Sequence, residues 1–381
     1  ITNRADRALA LFDELQFWLE NRDTYYFPEP NPLFYEKSAW GFATRRDRLH
    51  VLTLLARRLM PRGNQNAPAP VVVAPVRAIM PRTLPRRDFL KHMRTLNIGQ
   101  RVSLDELTRS WVDTGYSYAN IVVEAGQFSR RGGILDVWAM GEASPVRIEF
   151  FDDEIETMRA FDPASQRTEK TLESFTLAPA REILPLAAEK AGLQLNDFSE
   201  FYLPTAHPFS GSLMDYLPDD ALVTLDGQEF IAAAVTDIEE ESLARRDEAV
   251  QAGEIAEDFP VPFYTWSEIE DRISKRAVVE LGYTGAPDVP ALASYFEMGP
   301  RFAGKLRDFL NYLKSLDNQK QPWAIVSRQS ARLRNLYGET LIDQNNDLER
   351  RLNNEFIEGS LAAGWILKTP TAGLKHLLTD S

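Results

Sequence analysis

The tightest constraint on the fold is a change of hydrophobic period partway along the chain. Before about residue 95 the apolar residues recur at helical spacing or in one short continuous run. Between Gly126 and Asp162 they alternate with polar ones. Alternation marks strands with one face buried and one facing water. Gly126-Gln127-Phe128-Ser129, Gly132 to Trp138 and Pro145 to Phe151 read as strands split by glycine or proline, and Asp152-Asp153 turn the chain into a further strand, Glu154 to Asp162. These segments predict a compact, mainly antiparallel module of roughly 85 residues, closing near Ile183-Leu184-Pro185.

The flanks follow a different rule. Leu9, Phe12, Leu15 and Leu19 predict a helix that Asn3 or Asp6 could cap, and Leu49, Leu52 and Leu55 predict another from about Thr44 to Arg58. Ile1-Thr2 reads as the tail of a strand. Phe27 to Pro32 is a proline-rich loop, and Pro61 to Asn66 a turn. Val71-Val72-Val73-Ala74 is a short continuous run of the kind buried on both faces of a parallel sheet. After the module, Ala221 to Leu225 reads as a strand and Phe230 to about Ala252 as a charged helix. Helices near Leu306–Leu316 and Ser330–Leu336 enclose a last strand, Trp323 to Ser327. The fold class expected is α/β and multi-domain. A parallel-sheet first domain, residues 1–96 and 186–287, holds the antiparallel module, 97–185, as an insertion, and a small α/β domain covers 288–381.

Composition narrows the chemistry. The chain has no cysteine, which excludes disulfides, iron–sulfur clusters and thiol nucleophiles. No run of eighteen apolar residues is present. A formal net charge of -13 argues against coating nucleic acid by charge alone. His50, His92, His207 and His376 lie far apart, so no pair shares a helical face as metal ligands do. Two segments imitate nucleotide chemistry. Gly299-Pro300-Arg301-Phe302-Ala303-Gly304-Lys305 has the spacing of a phosphate-binding loop, yet Leu306 replaces the hydroxyl that ligates Mg²⁺, and Pro290 to Met298 predicts no buried strand ahead of it. Asp247-Glu248 resembles a helicase acidic pair but follows Glu239-Glu240-Glu241 and Arg245-Arg246 on a charged helix. No complete ATPase site is expected, and catalytic residues, metal ligands and bound cofactors are all expected to be absent from these residues.

At Phe128 to Trp138, Pro145 to Glu156 and Phe161-Asp162-Pro163-Ala164-Ser165-Gln166-Arg167-Thr168 the chain resembles the module shared by the excision-repair protein UvrB and the bacterial transcription-repair coupling factor (Mfd) family. Asp197 to Pro204, Leu213 to Pro218, Gly359 to Trp365 and the ending Leu377 to Asp380 resemble the coupling factors in particular. The resemblance implies that the module docks UvrA, and its contact positions fall on Arg131, Arg147, Phe151 and Asp153. Bidentate arginines around an aromatic anchor are what a protein-binding hot spot requires. If one of Phe150 and Phe151 is buried, the other is exposed.

In that family the polymerase-binding domain and the ATP- and Mg-dependent translocase motor lie beyond this region. RNA polymerase and double-stranded DNA are therefore expected partners of the full-length protein, in the cytoplasm. The alternative is a UvrB-type ATP-dependent helicase-like enzyme. UvrB grips DNA through an aromatic hairpin. The corresponding Tyr25–Trp40 stretch, with Tyr25, Tyr26, Phe34, Tyr35 and Trp40, is short, which favours a hairpin-less loop. Arg45, Arg46 and Arg48, and Arg82, Arg86 and Arg87, read as solvated or pairing clusters. The start at Ile1-Thr2-Asn3 and the stop at Asp380-Ser381 read as a piece of a longer protein.

Overall fold

The computed structural model describes residues 1–19, 22–60, 68–193, 199–282, 295–342, 355–361, 363–369 and 373–379. The expected Pro61–Asn66 turn, with Asp197, Phe198, Ala362, Asp380 and Ser381, lies outside them. The chain divides into two compact units, residues 1–8 with 25–279, and residues 9–24 with 280–381.

In the first unit a parallel arrangement is built around the amino-terminal residues. Thr2 bridges Pro75 and Asp226, in parallel on both sides. Its N–H donates to the Ala74 carbonyl at 3.0 Å, and the Asp226 N–H donates to the Ile1 carbonyl at 2.8 Å. Ile1-Thr2 thus lies between the strand Val71–Val73 and the strand Leu222–Asp226, where its apolar neighbours call for it. Helix Phe42–Arg58 buries Leu49, Leu52 and Leu55, the residues whose spacing predicts it.

One side chain in that helix departs from any solvated reading. Arg48 is fully buried. Its Nε donates to Glu182 Oε1 at 3.0 Å and its Nη1 to the Ala78 carbonyl at 2.8 Å. The guanidinium lies over the rings of Phe27, at 4.3 Å, and Trp40, at 4.7 Å. The aromatic stretch around it is core as well. Phe34, Tyr35 and Trp40 are buried, and Tyr25 and Tyr26 are half-buried. The rings of Phe34, Tyr35 and Trp40 therefore offer no open stacking platform for bases. Arg82 is also committed, lying 4.1 Å from the Tyr264 ring and donating to the Val261 carbonyl.

The module leaves and rejoins this unit through one pair of strands, Arg94–Asn97 and Ser174–Leu177, paired antiparallel. Side-by-side entry and exit make it an insertion. Its six strands follow chain order: Ser117–Tyr118, Gln127–Arg131, Ile134–Val137, Val146–Phe151, Glu154–Phe161 and Thr168–Thr171. The first pair is parallel and the others antiparallel. Helix Leu104–Asp113 covers one face, its Trp111 ring edge-on to Phe128 at 5.4 Å. One contiguous core includes residues from Phe27 through the module to Ile273.

In the second unit five strands lie in the order Phe296–Met298, Trp365–Thr369, Gly373–Thr379, Trp323–Ser327, Glu355–Glu358. Trp323–Ser327 is parallel to both its neighbours. Phe309, Leu313, Trp323, Ile325 and Tyr337 form the core beneath helices Leu306–Asn318 and Ser330–Ile342. The structure adds a strand, Phe296–Met298, where the sequence predicts none. It is three residues long and pairs antiparallel with Trp365–Thr369, not the buried parallel strand that launches a phosphate-binding loop. Asp247 and Glu248 lie inside helix Gln228–Gln251. Among the described residues no helix is long and apolar enough to cross a membrane, and no group of acidic or histidine side chains is arranged to hold a metal ion.

Two outcomes follow from this core. Arg48→Ala leaves Glu182 buried without its partner and is expected to lower unfolding free energy by about 3–5 kcal/mol, while Arg48→Met with Glu182→Leu recovers most of it. Urea titrations of the three chains check this. Burial also lowers the pKa of His50 and His207 below 6.5. The unfolded chain then binds protons that the folded state resists, so stability present above that value is lost as the pH falls through it. Chemical denaturation at about pH 7.5 and about pH 5.5 is expected to show the lower midpoint in acid.

Candidate docking face

The alternation in strand Val146–Phe151 sorts its side chains cleanly. Val146 and Ile148 are buried and Phe150 packs against the core, while Arg147, Glu149 and Phe151 project from the opposite face. Strand register extends that outer face sideways. Arg131 pairs with Ile134, which pairs with Glu149, which pairs with Thr157. One step along, Ser129, Asp136, Arg147 and Arg159 form the next row. Three of the four expected positions, Arg131, Arg147 and Phe151, therefore share one face. The fourth, Asp153, lies in the hairpin turn, where Asp152 adopts a left-handed φ of 58°.

Phe151 is 76% exposed. Large aromatics of globular chains rarely stand this far out of the core. A register shift between Glu149 and Phe150 accompanies it, leaving Phe150 opposite Ile155 and Phe151 opposite Glu154. The neighbouring turn is close by: the Phe150 N–H donates to the Gly133 carbonyl at 2.9 Å. A Cβ at Gly133 would lie 3.2 Å from the Phe150 carbonyl oxygen, so glycine suits the close approach. This contact brings the end of the Arg131 strand beside the Phe151 strand.

The two arginines differ in availability. Arg131 is exposed and donates from Nη2 to the Asn120 carbonyl at 3.0 Å, with no acidic partner among the described residues. Arg147 is already clamped. Its Nε and Nη2 donate to the two carboxylate oxygens of Asp136 at 2.7 and 2.8 Å, and Nη2 also reaches Gln166 at 2.9 Å. Its guanidinium stacks over Phe161 at 4.6 Å. The hydrogen bond with Asp136 raises the Arg147 pKa further above its ordinary value, against the desolvation that opposes it. Arg147 therefore braces the face, and Arg131 carries the unanswered charge. Beside it, Arg159 pairs with Glu149. Asp153 is half-buried, accepts the Val102 N–H through its carbonyl at 2.8 Å and lies 4.0 Å from Arg101 Nε.

The sequence reading missed Asp136, the partner that occupies Arg147, and Ile134, a part-exposed apolar neighbour of Arg131. A carboxylate inside the apolar run Ile134-Leu135-Asp136-Val137 is a sign of an outward-facing position, but only the register supplies its partner.

Comparison with known proteins bears on this same module. Residues 95–183 match the family model described as the UvrB interaction domain. The chain is similar in sequence to several proteins named transcription-repair-coupling factor. It is 28% identical to the protein of that name from Bacillus subtilis over 302 residues, which is 69% of this chain and 25% of the relative. The Escherichia coli transcription-repair-coupling factor is 38% identical over 125 residues, 33% of this chain and 11% of its own length. The one from Myxococcus xanthus is 43% identical over 115 residues, 30% of this chain and 10% of its own. The matched region thus spans a quarter or less of these relatives.

The clamp separates stability from docking. Arg147→Ala leaves the buried Asp136 uncompensated and is expected to cost about 3–5 kcal/mol. Arg131→Ala and Phe151→Ala remove exposed groups and are expected to stay within about 0.5 kcal/mol of the parent. Denaturant midpoints of the three variants decide it.

Proposed function

We propose that this chain is the docking part of a transcription-repair coupling factor, which recruits UvrA to lesion-stalled RNA polymerase in nucleotide excision repair. Its own work is protein–protein binding, through the outer face of the inserted module. The observation that carries the reading is Phe151, an aromatic standing 76% exposed on a face that also bears an arginine without an acidic partner among the described residues. A solvent-exposed aromatic next to an open guanidinium supplies both the apolar anchor and the bidentate group that hot spots combine. In the full-length protein the further partners are RNA polymerase and double-stranded DNA, with ATP and Mg²⁺ serving the motor.

The roles divide as the geometry divides them. Phe151 is the anchor, Arg131 the carboxylate-seeking contact, and Arg147 the brace that holds Asp136 between them. Asp153 adds an acceptor at the turn. The relatives' shared name and the match of the module to the UvrB interaction domain support this reading.

Retention of UvrA by the immobilised 381-residue chain tests it. Arg131→Ala and Phe151→Ala are each expected to weaken retention at least about tenfold, or about 1.4 kcal/mol, without loss of fold. Parent-like retention by both variants would sink the proposal. Hydrolysis of ATP by this chain, stimulated by DNA, would instead favour the UvrB-type enzyme.

A further inference from the structure

The loop that holds the Arg131 guanidinium carries apolar side chains of its own. Between strand Ser117–Tyr118 and strand Gln127–Arg131 the chain exposes Ile121 at 53% and Val123 at 64%. Hydrogen bonds tie this loop to the second strand at both ends. The Ala119 N–H donates to the Phe128 carbonyl at 2.8 Å. The Val123 and Glu124 N–H groups both donate to Gln127 Oε1, at 3.0 and 3.2 Å. A pinned backbone thus holds two aliphatic side chains out in water. Exposed apolar residues scattered singly are ordinary, but these are grouped about one cation.

Arg131 Nη2 donates to the Asn120 carbonyl at 3.0 Å, so the guanidinium lies beside the residue that precedes Ile121. Across the ladder Arg131 stands opposite Ile134, which is 37% exposed. The Gly133 carbonyl then accepts the Phe150 N–H and leads on to Phe151. Ile121, Arg131, Ile134 and Phe151 therefore follow one another along a single arc of contacts. The charges around this arc are accounted for. Asp136 holds Arg147, and Glu149 pairs with Arg159 and accepts the Thr157 hydroxyl. Arg130 faces the helix side and pairs with Asp105. Glu124, the one carboxylate of the loop, makes no ion pair with Arg131 among the described residues.

A guanidinium–carboxylate pair in open water contributes little, because both ions stay hydrated and salt screens them. The same pair strengthens when water is excluded and the local dielectric falls. Hot spots accordingly sit inside a ring of contacts that dries on docking. We propose that Ile121, Val123 and Ile134 form an apolar collar about Arg131, which receives one carboxylate of UvrA set among aliphatic side chains and keeps water from the pair. The inference rests on the UvrA reading and adds to it the chemistry of the partner patch. One cation within the collar matches one carboxylate, and the aliphatic rim matches apolar neighbours of that carboxylate. The collar sets how much Arg131 contributes, whereas Phe151 anchors the far end of the arc independently.

Titration of UvrA with the 381-residue chain tests this as a double-mutant cycle. Ile121→Ser with Val123→Ser is expected to weaken binding at least about tenfold. In a chain that already carries Arg131→Ala, the same pair of substitutions is expected to cost less than about threefold, because no ion pair remains to be shielded. Ile121→Val with Val123→Ile keeps the collar apolar and is expected to bind within about twofold of the parent. Both positions are more than half exposed, so circular dichroism is expected to report an unaltered fold. Parent-like binding by the serine variant, an equal loss with and without Arg131, or an equal loss in the conservative variant would overturn the collar and leave the UvrA reading standing. Failure of the parent chain to bind UvrA would overturn both.

Discussion

A buried arginine fixes how the segments of the first unit meet. Arg48 enters the core from helix Phe42–Arg58 and meets Glu182 at the chain's exit from the inserted module. It also meets the Ala78 carbonyl and the rings of Phe27 and Trp40. Four segments distant in sequence converge on one guanidinium. Removing an arginine and a glutamate from water is costly. Arg48 Nη2 and Glu182 Oε2 are buried without a hydrogen-bond partner among the described residues, so the pair fixes which segments meet rather than adding net stability. Any fold that misplaces the exit strand relative to the helix therefore strands two buried charges. Glu200 lies close to the same region, where burial raises its pKa while the Trp40 N–H bond and Arg45 oppose the rise.

With its entry and exit strands paired, the module is held as a plate with two usable sides. The inner side is occupied by helix Leu104–Asp113 and the core. The outer side is polar and ordered by cross-strand pairs, Arg147 with Asp136 and Arg159 with Glu149. Such pairs fix the orientation of side chains that would otherwise be mobile on a strand surface. Phe151 and Arg131 are the groups these pairs leave unanswered. An interface built this way separates what maintains the surface from what is available to a partner.

The aromatic residues near the amino terminus illustrate the opposite allocation. Phe34 contacts Phe201 and Phe263 at centroid distances of 5.0 and 4.4 Å, and Trp40 contacts Phe201 at 5.3 Å. Rings committed to each other and to Arg48 stabilise the fold but cannot stack on bases. Phe151 and Phe209, with Phe230 and Tyr118, are instead the most exposed aromatic residues described in the first unit.

Much of this was legible in the amino-acid order. The period-two pattern of Val146 to Phe151 determined that Phe150 and Phe151 face opposite ways, and the runs at Val71 and Trp323 determined strands, the second buried and the first only half-buried. Local periodicity suffices there because each strand's faces are set by its own residues. The partner of Arg147 was not legible, because Asp136 reaches it only through the register of two strands, which depends on the turn at Gly132-Gly133. Arg48 read as one of a solvated or pairing cluster, since nothing local distinguishes it from Arg45 or Arg46. Its burial arises from Glu182, 134 residues further along. The sequence by itself determined which strands exist and which faces they bury. Only the tertiary structure decided which charges cancel inside the protein and which remain for a partner, because pairing energies depend on distances between segments that the chain order does not contain.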